Sequence, residues 1–100
     1  MWKHLQKIEK ALEESTCTVS YARIIENTDY KEIYGRAHKK DFCAQLTFIP
    51  REFILEPDED DVDWAHLLIT HRPSSMTELQ MDGDLDECIK AMKEFFQNIQ

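Results

Sequence analysis

The residues with the clearest chemical potential are the carboxylates of segment 56–63. Six acids occupy its eight positions with no base among them: Glu56, Asp58, Glu59, Asp60, Asp61 and Asp63. Carboxylate-rich segments coordinate Ca²⁺ or attract a cationic protein. An EF-hand loop needs glycine at its sixth position and glutamate at its twelfth, whereas a count from Asp58 reaches Asp63 and Ile69. The segment therefore favours a basic partner, and no metal site is predicted.

A second group of acids lies at Asp82, Asp84, Asp86 and Glu87. It also fails the EF-hand pattern, because a count from Asp82 puts Glu87 at the sixth position. Asp84 is predicted to be the N-cap of the last helix, with Glu87 three residues later as in a capping box. Acids in a first helical turn interact favourably with the helix dipole. This group is therefore explained without a ligand.

Apolar residues flank the acidic segment on both sides. Phe53, Ile54 and Leu55 precede it, and Trp64 follows it. An acidic rim beside aromatic and aliphatic side chains is typical of a protein-binding patch. The alternative is a solvated loop whose neighbours pack into the core. The predicted partner-binding residues are Glu56, Asp58, Glu59, Asp60, Asp61, Asp63 and Trp64.

The cysteines and histidines offer weaker possibilities. Cys17, Cys43 and Cys88 are far apart and form no C-x-x-C pair, so neither a zinc knuckle nor a redox motif is predicted. Three reduced thiols favour a cytoplasmic protein. His66 and His71 should point to opposite faces of a strand, which prevents them from sharing a metal. Cys43 and His66 are a conceivable nucleophile and base.

Segment 35–41 contains the densest group of bases. Arg36, His38, Lys39 and Lys40 lie there, with Tyr30 and Tyr34 nearby to stack on RNA bases. The acidic balance of the whole chain argues against direct nucleic-acid binding, which depends on bases meeting phosphate. We interpret this segment as a hairpin loop whose charges improve solubility or pair with an acidic loop.

Composition and charge distribution limit the class of protein. Residues 1–50 carry seven acids and eight bases, whereas residues 51–100 carry thirteen acids and four bases, and the net charge is −8. One hundred residues correspond to one domain. No apolar segment approaches the ~20 residues of a membrane span, and the N-terminal residues do not resemble a secretory signal. The two glycines are too few for a phosphate-binding loop.

Hydrophobic periodicity predicts the elements that position these residues. Helices are predicted over 1–15 and after Asp84, and strands over 17–26, 30–34, 42–48 and 64–71. Segment 76–81 is either an edge strand or an extended connection. The fold class is α+β: an N-terminal helix, a three- to five-stranded mostly antiparallel sheet and a C-terminal helix, with both helices on one face of the sheet.

The functional hypothesis is a small acidic protein-binding domain that acts as an inhibitor, specifically a bacterial immunity protein that neutralises a cationic toxin. A nuclease toxin has a cationic site because it binds phosphate, and an acidic surface would be steered onto it. The alternatives are an effector-secretion chaperone, a phage anti-defence inhibitor and a small Cys- or acid-based hydrolase. The hypothesis predicts binding without catalysis, no cofactor and no membrane partner. It leaves the choice between monomer and homodimer open.

Overall fold

The computed structural model of the protein describes residues 2–15 and 19–99. Its elements are α1 (Trp2–Glu14), β1 (Val19–Glu26), β2 (Lys31–Lys39), β3 (Phe42–Ile49), a 3₁₀ turn (Arg51–Phe53), β4 (Trp64–His71), β5 (Met76–Gly83) and α2 (Leu85–Gln97). The five strands form one sheet in the order β1-β2-β3-β4-β5, and each neighbouring pair is antiparallel. The predicted α+β fold is confirmed. Neither of the two described α-helices is long and apolar enough to cross a membrane.

Both helices pack on the same face of the sheet, here called the inner face. Its side chains include Ile24, Ile33, Ala37, Ala44, Leu46, Phe48, Ala65, Leu67, Ile69, Leu79 and Met81. Ile8 and Leu12 of α1 and Met92 and Phe96 of α2 belong to the same buried cluster. The alternation of buried and half-exposed residues along β3 and β4 follows from the two-residue period of a strand.

Gly35 allows α1 to approach the inner face closely. A Cβ atom built at this position would lie 3.1 Å from both Ile8 Cγ2 and Leu12 Cδ1. Such a contact is tighter than ordinary van der Waals packing. The sequence uses glycine here because the helix occupies the space that a side chain would need.

The opposite face of the sheet, here called the outer face, has no helix over it among the described residues. Its side chains include Tyr21, Arg23, Tyr34, Arg36, His38, Cys43, Gln45, Thr47, Trp64, His66, Leu68, Gln80 and Asp82. Most of them are exposed or half-buried, although Cys43 is buried. One face of the sheet therefore forms the core, and the other remains a broad surface.

The prediction of a loop over 35–41 is wrong, because β2 continues to Lys39 and only a tight turn at Lys40 precedes β3. Lys40 has a φ of 54°, which closes this turn. Ala37 is buried on the inner face, while the basic neighbours of this alanine point to the outer face. The methyl side chain of Ala37 contributes little hydrophobicity between these bases. The apolar–polar alternation of the strand is therefore too weak in the sequence to identify it.

Most other predicted boundaries are confirmed. The strand predicted over 64–71 matches β4, and segment 76–81 is part of the edge strand β5. Residues 17 and 18 of the strand predicted over 17–26 lie outside the described residues. Asp84 caps α2, but its carboxylate accepts the backbone N–H of Asp86 at 3.1 Å instead of that of Glu87.

The two helices are joined by ion pairs at their exposed edges. Lys7 Nζ lies 2.6 Å from an Asp86 carboxylate oxygen, and Lys93 Nζ lies 3.0 Å from a Glu14 carboxylate oxygen. Exposed pairs of this kind contribute about 0.2–1 kcal/mol each. The buried apolar contacts of the inner face therefore contribute most of the stabilisation that fixes the helices on the sheet.

Candidate functional site

The acidic segment 56–63 is the connection between the 3₁₀ turn and β4, and a single arginine organises its backbone. The Arg51 side chain donates hydrogen bonds to the carbonyl oxygens of Asp61 at 2.9 Å and Asp58 at 3.3 Å. The backbone N–H of Arg51 donates to the Asp63 carboxylate at 2.8 Å. Arg51 thus fixes the path of the chain through its carbonyl groups.

Two of the six acids are used inside the loop itself. The Asp61 carboxylate accepts the backbone N–H of Asp58 at 2.7 Å, and Asp63 accepts the N–H of Arg51. The other four side chains are exposed and have no hydrogen-bond or ion-pair partner among residues 2–15 and 19–99; they are Glu56, Asp58, Glu59 and Asp60. The predicted acids therefore divide into two that shape the loop and four that face solvent.

Exposed apolar side chains lie at both ends of this loop. Leu55 is 74% exposed, Val62 is 69% exposed and Trp64 is 39% exposed. Phe53 and Ile54, in contrast, are half-buried. The Phe53 ring packs edge-on against the His4 ring, with 6.1 Å between the ring centroids. The sequence pattern groups Phe53, Ile54 and Leu55 together as the apolar residues that precede the acidic segment. In the fold only Leu55 of these three is exposed.

A cavity of about 340 Å³ adjoins Leu55. The turn between β1 and β2 lines one side, and residues 52–55 line the other. Tyr30 and Leu55 give it an apolar wall, Asp29 and Glu52 add carboxylates, and Lys31, whose amine lies 3.5 Å from Glu26, adds one cation. An apolar wall with acids at its edge suits the aliphatic stem and charged end of a lysine or arginine side chain.

The second acidic group is distributed among structural roles. Asp82 lies 2.5 Å from His66 Nδ1, Asp84 caps α2 and Asp86 pairs with Lys7. Asp82, Asp84 and Asp86 therefore each have a partner within the fold, whereas Glu87 is exposed. No group of three or more His, Cys, Asp or Glu side chains within the described part of the chain is arranged to bind a metal ion.

The structure brings Cys43 together with His38 instead of His66. These residues are directly opposite each other on β2 and β3, and the Cys43 sulfur lies 4.0 Å from His38 Nε2. Arg36 Nε donates to the same nitrogen at 3.2 Å. Burial, followed by the nearby charges of Arg72 and Arg36, lowers the pKa of His38, which favours a neutral ring.

This pair lacks the access that a catalytic cysteine needs. Cys43 is only 3% exposed, and the cavity beside Leu55 lies at the opposite end of β3. Cys88 is fully buried in α2, where burial raises the pKa of its thiol. Both cysteines are free, and Cys17 lies outside the described residues.

The bases of segment 35–41, which were predicted to form one loop, lie in surroundings that differ from one another. Lys39 Nζ donates to the carbonyl oxygen of Phe96 at 2.6 Å, which anchors the end of β2 to the end of α2. Arg36 lies on the outer face beside Tyr34, and burial raises the pKa of the Tyr34 hydroxyl. Tyr30 is at the other end of β2 and lines the cavity near Leu55.

The chain matches no protein-family model, and no curated protein or solved structure is significantly similar to it.

Proposed function

We propose that the protein is a small acidic binding domain that inhibits a cationic protein, as an immunity protein inhibits a nuclease toxin. Binding, not catalysis, is its activity. The observation that carries the proposal is the state of the loop at 56–63. Arg51 and two loop carboxylates fix its backbone, while Glu56, Asp58, Glu59 and Asp60 remain exposed and unpaired within the described chain. A fixed loop loses little conformational entropy on binding.

The exposed apolar residues give such a contact its lifetime. Leu55 and Val62 lie at the two ends of the loop, and Trp64 begins the following strand. Carboxylates at an interface rim mainly increase the rate of association, whereas desolvated apolar anchors slow dissociation. The cavity beside Leu55 would accept a basic side chain of the partner. Charge and apolar area therefore support the same site.

The test compares two variants that change the charge equally. The loop variant replaces Glu56, Asp58, Glu59 and Asp60 by the corresponding amides and leaves the structural acids Asp61 and Asp63 intact. The control variant replaces four exposed helix acids, Glu9, Glu13, Glu87 and Glu94, by glutamine. Both raise the net charge by four, so a difference between them reports the position of the charge and not its total.

The wild-type protein is used to purify its partner from the host lysate, and association with the purified partner is then measured by surface plasmon resonance. We expect the loop variant to associate more slowly and with a weaker salt dependence, because exposed charges act over ~8–10 Å. The control variant should retain most of the wild-type rate. Partner activity, such as DNA cleavage, should be inhibited by the wild type. Equal rates for the two variants would contradict the proposal.

An effector-secretion chaperone is the second candidate, and one observation favours it. The outer face presents Tyr21, Trp64 and Leu68 without a covering helix among the described residues. A chaperone would bind an unfolded apolar client segment on such a face. Retention of the partner by the loop variant together with its loss in a Leu68→Glu variant would favour this function over the inhibitor.

A further inference from the structure

We propose that the outer face of the sheet binds the outer face of a second copy, so that the protein forms a symmetric homodimer with its helices on the outside. The outer face is a different surface from the acidic loop of the proposed inhibitor function, and the two share only Trp64, which lies where the loop ends and β4 begins. The outer face has two properties that an isologous interface requires. It is broad and partly apolar, and the charges along its central row are arranged so that the row complements itself.

The central row crosses all five strands. Register pairs connect Arg23 to Tyr34, Tyr34 to Thr47, Thr47 to His66, and His66 to Asp82. A cation therefore occupies one edge of the row, an anion occupies the other, and a hydroxyl lies in the middle. Arg23 contacts the Tyr21 ring from 5.9 Å and has no carboxylate partner within the described residues.

A two-fold axis parallel to β3 reverses this row onto itself. Arg23 of one copy then faces Asp82 of the other, Tyr34 faces His66, and Thr47 faces its own equivalent. Asp82 has one oxygen at His66 and a second oxygen free for the arginine. Cation meets anion twice in such a dimer, and no like charges of the row face each other. A two-fold interface requires this self-complementarity.

The area of the face agrees with a specific but weak dimer. Five strands about 4.8 Å apart and eight residues long cover about 24 Å by 27 Å, or about 650 Å² on each copy. Two copies would bury about 1,300 Å², which is at the lower end of specific interfaces. Tyr21, Trp64 and Leu68 supply aromatic and aliphatic area in neighbouring rows. Packed sheets of this kind lie about 10 Å apart.

The acidic loop does not interfere with this arrangement. Arg51, which binds the loop, lines a cavity together with Lys3 and His4 of α1. Because α1 lies over the inner face, the loop leaves the end of the sheet on the helix side. The two loops of the dimer are therefore separated by both sheets, and each remains accessible to a cationic partner.

The decisive experiment uses two opposite charge reversals. Arg23→Glu places two acids opposite each other in its own homodimer, and Asp82→Arg places two arginines opposite each other. Each variant should dimerise on the order of tenfold more weakly than the wild type. In a heterodimer of the two variants, the introduced glutamate of one copy faces the introduced arginine of the other, and the native Arg23 and Asp82 face each other. An equimolar mixture should therefore recover the dimer.

Sedimentation velocity over about 1–100 µM protein measures these equilibria in the range expected for a weak interface. Lys90→Glu is the matched control, because it makes the same charge change as Arg23→Glu on an exposed position of α2. It should dimerise like the wild type. Circular dichroism checks that each variant is folded.

A second measurement does not depend on charge. Thr47→Cys places a thiol on the two-fold axis, and a short bis-maleimide should then link two copies. Glu9→Cys on the exposed side of α1 is the control and should yield no more linked dimer than the wild type. Three results would overturn the proposal: a wild type that stays monomeric over the whole range, a variant mixture that does not recover the dimer, or equal cross-linking from Thr47→Cys and Glu9→Cys. A wild-type monomer would leave the outer face to another protein and would not affect the inhibitor proposal.

Discussion

The inner and outer faces of the sheet are built from the same strands but from different kinds of residue. Gly35, Ala44 and Leu67 represent the inner face, where small or aliphatic side chains meet the helices. Arg23, Tyr34 and His66 represent the outer face, where polar and aromatic side chains are half-buried or exposed. A side chain's surroundings therefore depend on the parity of its position in the strand, and stability and association should be affected by different residues.

The largest expected difference separates two adjacent leucines of β4. Leu67 is 0% exposed on the inner face, whereas Leu68 is half-buried on the outer face. Leu67→Ala should lower the free energy of unfolding by about 2–5 kcal/mol because it leaves a cavity. Leu68→Ala should lower it by about 1 kcal/mol, because it loses only part of the transfer free energy of a buried leucine. Urea denaturation at low protein concentration measures both. Equal losses would contradict the division between the faces.

A smaller effect is expected when the inner face is made more crowded. Gly35→Ala would bring a methyl group to 3.1 Å from Ile8 and Leu12, so the helix side chains must shift. We expect a loss of about 1 kcal/mol in the free energy of unfolding, at the low end of overpacking effects because the contacted atoms are side-chain ends.

A thermodynamic cycle isolates the cause of this loss. Leu12→Val removes Cδ1, one of the two atoms at 3.1 Å from the new methyl group, so Gly35→Ala should cost less in that background. An unchanged cost in the Leu12→Val protein would show that Leu12 does not oppose the new methyl group, and it would leave Ile8 Cγ2, at the same 3.1 Å, as the contact in α1.

The smallest effect concerns pH and a histidine of the outer face. Burial and two arginines lower the pKa of His38, so the unfolded chain takes up a proton at a higher pH than the folded chain does. The contribution of His38 to stability is complete above the unfolded pKa of about 6.5. It falls as the pH decreases from there towards the lowered pKa of the folded protein.

His38→Gln should therefore make unfolding less sensitive to pH between about 7.5 and 5.5, a window that brackets the unfolded pKa. Urea midpoints at the two ends of this window give the measurement. His71→Gln at the end of β4 is the control. It leaves His38 in place, so its urea midpoint should change with pH as much as that of the wild type. If His38→Gln shows the same change in midpoint as the wild type, the His38 ring is more accessible to solvent than its surroundings indicate.

The sequence predicts the inner face better than the outer face for a physical reason. Strict alternation around Leu46 and Leu67 and the apolar stripe ending at Phe96 produce periodic signals that identify β3, β4 and α2. β2 was predicted too short, because Gly35 and Ala37 contribute little hydrophobicity even though they lie against the core. α1 occupies the space beside these two small residues. A contact with a helix distant in sequence produces no periodic signal in the strand itself.

The candidate site was predictable in composition but not in its internal contacts. The charge of segment 56–63 is evident from the residues alone, and the structure agrees that it is an exposed connection. The separate roles of Asp61 and Asp63 depend on Arg51, whose contacts are set by the turn of the chain after β3. Likewise, the row from Arg23 to Asp82 requires the register of four strand pairs, which the hydrophobic pattern does not specify.

The order of the elements also determines how the chain is protected while it is being synthesised. α1 packs over β1 and β2, whereas α2 packs over β3, β4 and β5. A nascent chain can therefore cover the first hairpin early, but the Leu46 and Leu67 region stays uncovered until Leu85–Gln97 has left the ribosome. Exposed apolar strands at this stage are prone to aggregate. The inner face of β3, β4 and β5 is thus the part of the chain that depends on the last helix for protection.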